Sequence, residues 1–88
     1  MTRTEILNKA ERIVSRDRNA THGEPEDSFR RIAAYWSTYL NRDLTAVDVG
    51  IMMTLMKIAR AEWNPKHDDN WVDAAGYMAC AGEIAGGK

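Results

Sequence analysis

The stretch DVGIMMTLMKIARAEWNPKHDDNWVDAAGY, at positions 48–77, constrains the fold of this chain more than any other. Its first half is almost entirely apolar, yet it carries Lys57 and Arg60 about one helical turn apart. Pro65 follows, and a proline cannot continue a helix. The stretch therefore predicts two helices joined by a short turn, with two cations facing the acidic residues that come after the turn, which are Asp68, Asp69 and Asp73.

The apolar half predicts a helix over about 46–62, with Thr45 as its N-cap and Asp48 at the reciprocal capping position. Apolar residues lie nearly all round it, which is typical of a helix surrounded by others. At about 100° per residue, Lys57 and Arg60 share one arc with small residues that permit close approach. We therefore expect this helix to be central, with a broad apolar arc formed by Ile51, Met52, Leu55, Met56, Ile58 and Ala59.

The acidic half predicts a helix over about 69–84 that begins at Asp68 or Asp69 as its cap. Its spacing gives one apolar face and a second face that carries Asp73 and Tyr77. An antiparallel hairpin brings Asp73 toward Lys57 or Arg60. The expected apolar face consists of Trp71, Ala74, Ala75, Met78 and Ala81.

Two further helices precede this hairpin. The first begins with a Thr2–Glu5 capping box and ends near Ser15 or Arg16. The second begins at Pro25 and ends at 41–43, and the segment RDRNATHGE between the two helices has the composition of a loop. We expect one all-α domain of four helices over residues 1–88.

The composition excludes several classes of protein. Twelve basic and thirteen acidic residues leave the net charge near neutral, which disfavours binding to duplex nucleic acid. Cys80 has no partner for a disulfide, and no apolar run is long enough for a membrane span, so we expect a cytoplasmic protein. Because 88 residues bury only a modest core, we also expect a homodimer or a larger homo-oligomer.

The two cations allow three interpretations. Lys57 and Arg60 can bind a phosphate or carboxylate group, with bidentate geometry available to Arg60. They can instead form ion pairs that only hold the hairpin together, because a buried charge needs a partner. The third interpretation is a divalent cation such as Mg²⁺ at the acidic residues beside His67, namely Asp68, Asp69 and Asp73.

The sequence shows no nucleophile–base arrangement and no glycine-rich phosphate loop. Trp63 lies next to the turn, where its ring can stack on a base. Arg16 and Arg18 precede the loop and can reach a phosphate at the same end of the molecule. Hydrogen bonds to a ligand are expected from His22, His67 and Tyr77.

The chain resembles a group of small uncharacterised phage and prophage proteins in three stretches: THGEPEDSFRRIAAYW, LTAVDVGIMMTLMKIAR and NPKHDDNWVDAAGY. Through them it looks like a relative of the all-α NTP pyrophosphatases, which include MazG-like domains, and of phage nucleotide-modification-associated domains. The resemblance implies a MazG-like helical arrangement and a nucleotide ligand. In that group, Glu-x-x-Glu on a central helix and Glu-x-x-Asp on the next helix hold magnesium against a nucleoside triphosphate.

This chain departs from that pattern. The first element aligns as Lys57-Ile58-Ala59-Arg60, which reverses both charges, and the second as Asn70-Trp71-Val72-Asp73, which keeps only the last carboxylate. We therefore expect a phage-associated protein that binds a nucleotide or related phosphorylated molecule without catalysis or a cofactor. It would sequester a signalling nucleotide or serve nucleotide modification. The alternatives are a divergent metal-dependent pyrophosphatase and a protein-interaction module whose ion pairs are purely structural.

Overall fold

A computed structural model of the chain describes residues 1–17 and 21–87. Within these ranges the protein is all-helical and has no strand, and the elements described from end to end are four α-helices and a π-helical segment. The elements are α1 (Arg3–Arg12), π1 (Ile13–Asp17), α2 (Pro25–Leu40), α3 (Ala46–Trp63) and α4 (Asp68–Ala85). The all-α prediction is confirmed, and the observed hairpin helices differ from the predicted ones by about one residue at their ends.

The helix starts follow the capping residues. Thr2 and Thr45 each form a complete capping box, in which the threonine side chain accepts from the backbone N–H of the residue three positions on. The carboxylates of Glu5 and Asp48 accept the reciprocal bonds. Pro25 occupies the first turn of α2. Local sequence therefore determines where three of the helices begin.

The prediction of a loop over RDRNATHGE was wrong in part. Arg16 and Asp17 belong to π1, which continues directly from α1, and Thr21 and His22 are also helical. A π turn adds one residue to a helical turn, which a search for α-helical periodicity does not detect.

The α3–α4 hairpin is the centre of the fold, and its two helices share the most extensive packing in the described structure. α1 packs against α4, and α2 packs mainly against α3. The buried core cluster lies between α2, α3 and α4 and consists of Phe29, Ala33, Val49 and Cys80.

Small residues allow the two hairpin helices to approach closely. A Cβ atom placed on Gly50 would lie 2.7 Å from Cβ of Ala81 and 3.2 Å from Cε2 of Phe29. One turn further along, the buried Thr54 hydroxyl donates to the Gly50 carbonyl at 2.8 Å. The glycine is thus needed at the contact between α3 and α4, and Thr54 satisfies its own polar group within its helix.

The prediction that α3 is surrounded by other helices was wrong within the described residues. Its buried positions include Val49, Gly50, Thr54 and Ala61, whereas much of the apolar arc is exposed. On α4, Trp71 and Met78 of the predicted apolar face are also exposed, and Val72, Gly76 and Cys80 are buried instead. We call the exposed apolar surface of the hairpin the outer face; it comprises Ile51, Leu55, Ile58, Trp71 and Met78.

Among the described residues, none of the helices combines the length and the hydropathy that crossing a membrane requires.

Candidate functional site

The ion pair between Lys57 and Asp73 connects the two hairpin helices. Nζ of Lys57 lies 2.9 Å from Oδ2 of Asp73, and the two side chains are only 12% and 13% exposed. The facing helices place opposite charges in a mostly desolvated position, where pairing is needed to offset the loss of hydration. Lys57 is therefore already held by a carboxylate.

A surface cleft lies on the side of this pair nearest the α3–α4 turn. We call it the turn cleft; it has a volume of about 430 Å³ and is lined by Lys57, Ala59, Arg60, Trp63, Asn64, His67 and Asn70. Arg60 is exposed and forms no ion pair with any residue that the structure describes. Trp63 is 90% exposed, so its ring is open to solvent at the cleft. The cleft thus combines a cation, an aromatic ring and an imidazole.

Asn70 is the buried polar residue of the turn cleft. Its relative exposure is 4%, and its side-chain amide forms no hydrogen bond within residues 1–17 and 21–87. Buried polar side chains are normally paired, so an amide without a protein partner at the wall of a cleft requires a partner from outside the fold. Sequence reasoning missed this residue because it treated Asn70 only as a lost carboxylate in the Asn70-x-x-Asp73 element.

A second cavity, which we call the inner cavity, lies between the hairpin and the first two helices. It has a volume of about 220 Å³ and is bordered mostly by apolar side chains, including Phe29, Met53 and Val72. His22, Asp73 and Tyr77 contribute polar groups to its wall. The rings of Phe29 and Tyr77 lie 6.4 Å apart, centroid to centroid, and tilt by 50°.

The structure divides the predicted site residues into two groups. Lys57, Arg60, Trp63 and His67 line the turn cleft, whereas His22, Asp73 and Tyr77 line the inner cavity. The Lys57–Asp73 pair stands between them, because one partner borders each space. Asp69 lines neither, Arg16 is exposed on π1, and Arg18 lies outside the described residues.

The carboxylates of the alternative magnesium site point to different cations. Asp68 lies 3.8 Å from the N-terminal amine, Asp69 lies 3.5 Å from Nζ of Lys9, and Asp73 pairs with Lys57. His67 approaches Asp69 at 3.9 Å. In the described part of the chain, no group of three or more His, Cys, Asp or Glu side chains is arranged to hold a metal ion.

Comparisons of the sequence with known proteins identify the family of the chain. The model of the family described as Domain of unknown function (DUF6378) matches residues 5–85. The Gene 55 protein of Mycobacterium phage D29 is 39% identical over 79 residues, which cover 90% of this chain and 52% of that protein. The Gene 55 protein of Mycobacterium phage L5 is 41% identical over 73 residues, which cover 82% of this chain and 47% of that protein.

The chain thus spans about half the length of these phage relatives. No solved structure matches it.

Proposed function

The chain belongs to the family described as Domain of unknown function (DUF6378), and we propose that it binds a nucleotide or a related phosphorylated small molecule in the turn cleft. The observation that carries the proposal is the buried Asn70 amide, which has no hydrogen-bond partner within the described structure. An amide offers both donors and an acceptor, and a nucleobase edge or a phosphate oxygen complements these groups.

Arg60 supports a phosphorylated ligand. Its guanidinium is exposed in the cleft and forms no ion pair with a described residue, so its charge is available. A planar guanidinium binds phosphate through two parallel hydrogen bonds, and such charge-assisted bonds are roughly twice as strong as neutral ones. Lys57 borders the same cleft, but its pairing with Asp73 reduces the charge it presents. Arg60 is therefore the expected principal phosphate contact.

Trp63 supports an aromatic ring in the ligand. A tryptophan that is 90% exposed leaves a large apolar surface in water, and stacking with a nucleobase would cover it. Stacking of this kind contributes about 1–3 kcal/mol per base. A phosphate contact, a stacking ring and a buried amide within one cleft fit a nucleotide better than inorganic phosphate.

The relatives are phage gene products, and a small nucleotide binder suits that setting. It would lower the free concentration of a host signalling nucleotide or hold a nucleotide for modification. We propose in addition a distant relationship to the MazG-like pyrophosphatases, which would also imply a nucleotide ligand.

Calorimetry with a panel of nucleoside mono-, di- and triphosphates and with inorganic phosphate tests the proposal. Arg60→Met should weaken binding by roughly 10- to 100-fold, because a hydrogen bond to a charged group contributes about 1.5–3 kcal/mol. Arg31→Met is the matched control, since Arg31 is an exposed helical arginine outside the cleft. Equal losses in the two variants, or no binding of any compound by the wild type, would refute a site in the turn cleft.

A turnover assay with magnesium separates binding from hydrolysis. Each nucleotide that binds is incubated with the protein and Mg²⁺, and pyrophosphate release is measured. We expect none. Release that Asp73→Asn abolishes and Arg31→Met leaves unchanged would show a divergent pyrophosphatase instead.

A further inference from the structure

The outer face of the hairpin is a continuous apolar surface on the side away from α1 and α2. Two contacts determine the antiparallel register of α3 and α4, namely Lys57 with Asp73 and Gly50 with Ala81. This register places Ile58 level with Trp71, and Ile51 level with Met78. The exposed apolar residues of the two helices therefore adjoin one another instead of lying scattered.

We propose that the outer face binds the outer face of a second copy of this chain, forming a two-fold symmetric dimer. Its five large apolar side chains are 43–57% exposed. With about 200 Å² for a large side chain, this exposure leaves roughly 500 Å² of apolar surface from the five residues alone. A stable interface buries roughly 800 Å² on each side, so these five residues would supply more than half of one partner's share. The half-buried Met52, Met56, Ala74 and Ala75 lie beside them and would add to it.

The chemistry of the outer face suits self-association. The five residues of the outer face are uncharged, so a two-fold axis through its centre brings no like charges together there; the exposed Glu62, one turn beyond Ile58 on α3, lies at its edge. The polar atom of its Trp71 ring is already satisfied, because Nε1 donates to the Pro65 carbonyl at 2.9 Å. Burying this ring against a partner would leave no unpaired donor. An uncharged centre with a satisfied Trp71 ring therefore suits a self-complementary interface.

Sedimentation measurements on the 88-residue chain across micromolar concentrations test the proposal. The wild type should dimerise, and Leu55→Glu should raise the dissociation constant at least about 100-fold, because a charge enters the centre of both copies. Leu7→Glu is the matched control, since Leu7 is an exposed leucine on α1 away from the outer face. Circular dichroism should show the same helix content in all three proteins.

A cross-linking measurement checks the geometry independently. Cys80 is buried, so Leu55→Cys introduces the main accessible thiol, and mild oxidation should yield a covalent dimer across the two-fold axis. Leu7→Cys should not do so. A dimer that survives Leu55→Glu but is lost in Leu7→Glu would move the interface to α1 and overturn the proposal.

A monomeric wild type would also overturn the proposal. In that case another protein, or a segment that the longer relatives carry outside the matched region, would cover the outer face.

Discussion

The two sides of the α3–α4 hairpin differ in a way that hydropathy alone does not anticipate. The inner side, which packs against α1 and α2, contains Gly50, Thr54, Gly76 and the Lys57–Asp73 pair. The outer face contains large apolar residues that are about half exposed. Helices approach closely only where their side chains are small, so the size of the residues on the inner side is restricted by packing. The outer face is hydrophobic, although no part of the described chain covers it.

The largest expected effect that distinguishes the two sides comes from breaking the buried ion pair. Lys57→Met leaves the Asp73 carboxylate without this cation in a mostly desolvated position, which should lower the free energy of unfolding by about 3–5 kcal/mol. Arg30→Met is the control, because it removes a 2.7 Å ion pair with Glu26 that is largely exposed. That exposed helical pair should contribute no more than about 0.5 kcal/mol. Urea denaturation measures both, and equal losses would mean that burial of the inner pair does not matter.

A pair of truncations compares the two sides directly. Val49 is fully buried, so Val49→Ala should cost about 2 kcal/mol through lost transfer energy and a new cavity. Leu55→Ala removes more atoms but from the outer face, and at concentrations too low for self-association it should cost less than about 0.5 kcal/mol. If thermal denaturation of dilute protein shows a larger loss of stability for Leu55→Ala than for Val49→Ala, then the side of the hairpin that carries Leu55 is the buried one.

Two glycine substitutions test how closely α3 and α4 approach one another. Gly50→Ala gains about 1 kcal/mol of helix propensity but loses more through the contact with Ala81, so a net loss of about 1–2 kcal/mol is expected. At the exposed Gly82 a new Cβ meets nothing within 4 Å, and Gly82→Ala should stabilise the fold by about 0.5–1 kcal/mol. Chemical denaturation of the two variants should give changes of opposite sign. A stabilised Gly50→Ala would show that the helices have room to separate.

The smallest expected effect lies at the start of α1. The Thr2 backbone N–H, and after it the Thr2 hydroxyl, hold the pKa of the exposed Glu5 below its usual range. Because the folded-state pKa is lowered, the capping box contributes stability above the unfolded-state pKa of about 4.3, and this contribution is lost as the pH falls through the folded-state value. An NMR titration should show the pKa of Glu5 rising in Thr2→Ala. An unchanged pKa would show that the Thr2 hydroxyl does not contribute to the lowering and would leave the Thr2 backbone N–H as its cause.

Local signals made much of the fold predictable. Thr2, Pro25 and Thr45 mark helix starts through nearby backbone chemistry, and the left-handed Asn41 marks the end of α2 at the predicted position. Which side of α3 is buried was not predictable in the same way, because it depends on which neighbouring helix can approach Gly50. Periodicity gives the angles between residues on a helix but not the direction of the core.

The candidate site was also predictable only in part, because spacing along a helix does not give the packing around each side chain. Charge and spacing indicated that Asp73 faces Lys57 or Arg60, and the structure pairs it with Lys57. The predicted residues are divided between the turn cleft and the inner cavity because Lys57 and Asp73 lie in contact between the two spaces. No sequence pattern specifies this distance. Asn70 could be found only when burial and hydrogen bonding were both known.

The π-helical segment at Ile13–Asp17 has a consequence for how sequences of this family should be aligned. A π turn accommodates one residue more than an α turn, so deleting a residue there would convert it to an α turn while α1 keeps its packing on α4. Gaps of one residue at these positions should therefore be tolerated, although a gap within α3 would rotate every later side chain of that helix by about 100°. Insertions and deletions among relatives should cluster at this segment and spare the hairpin.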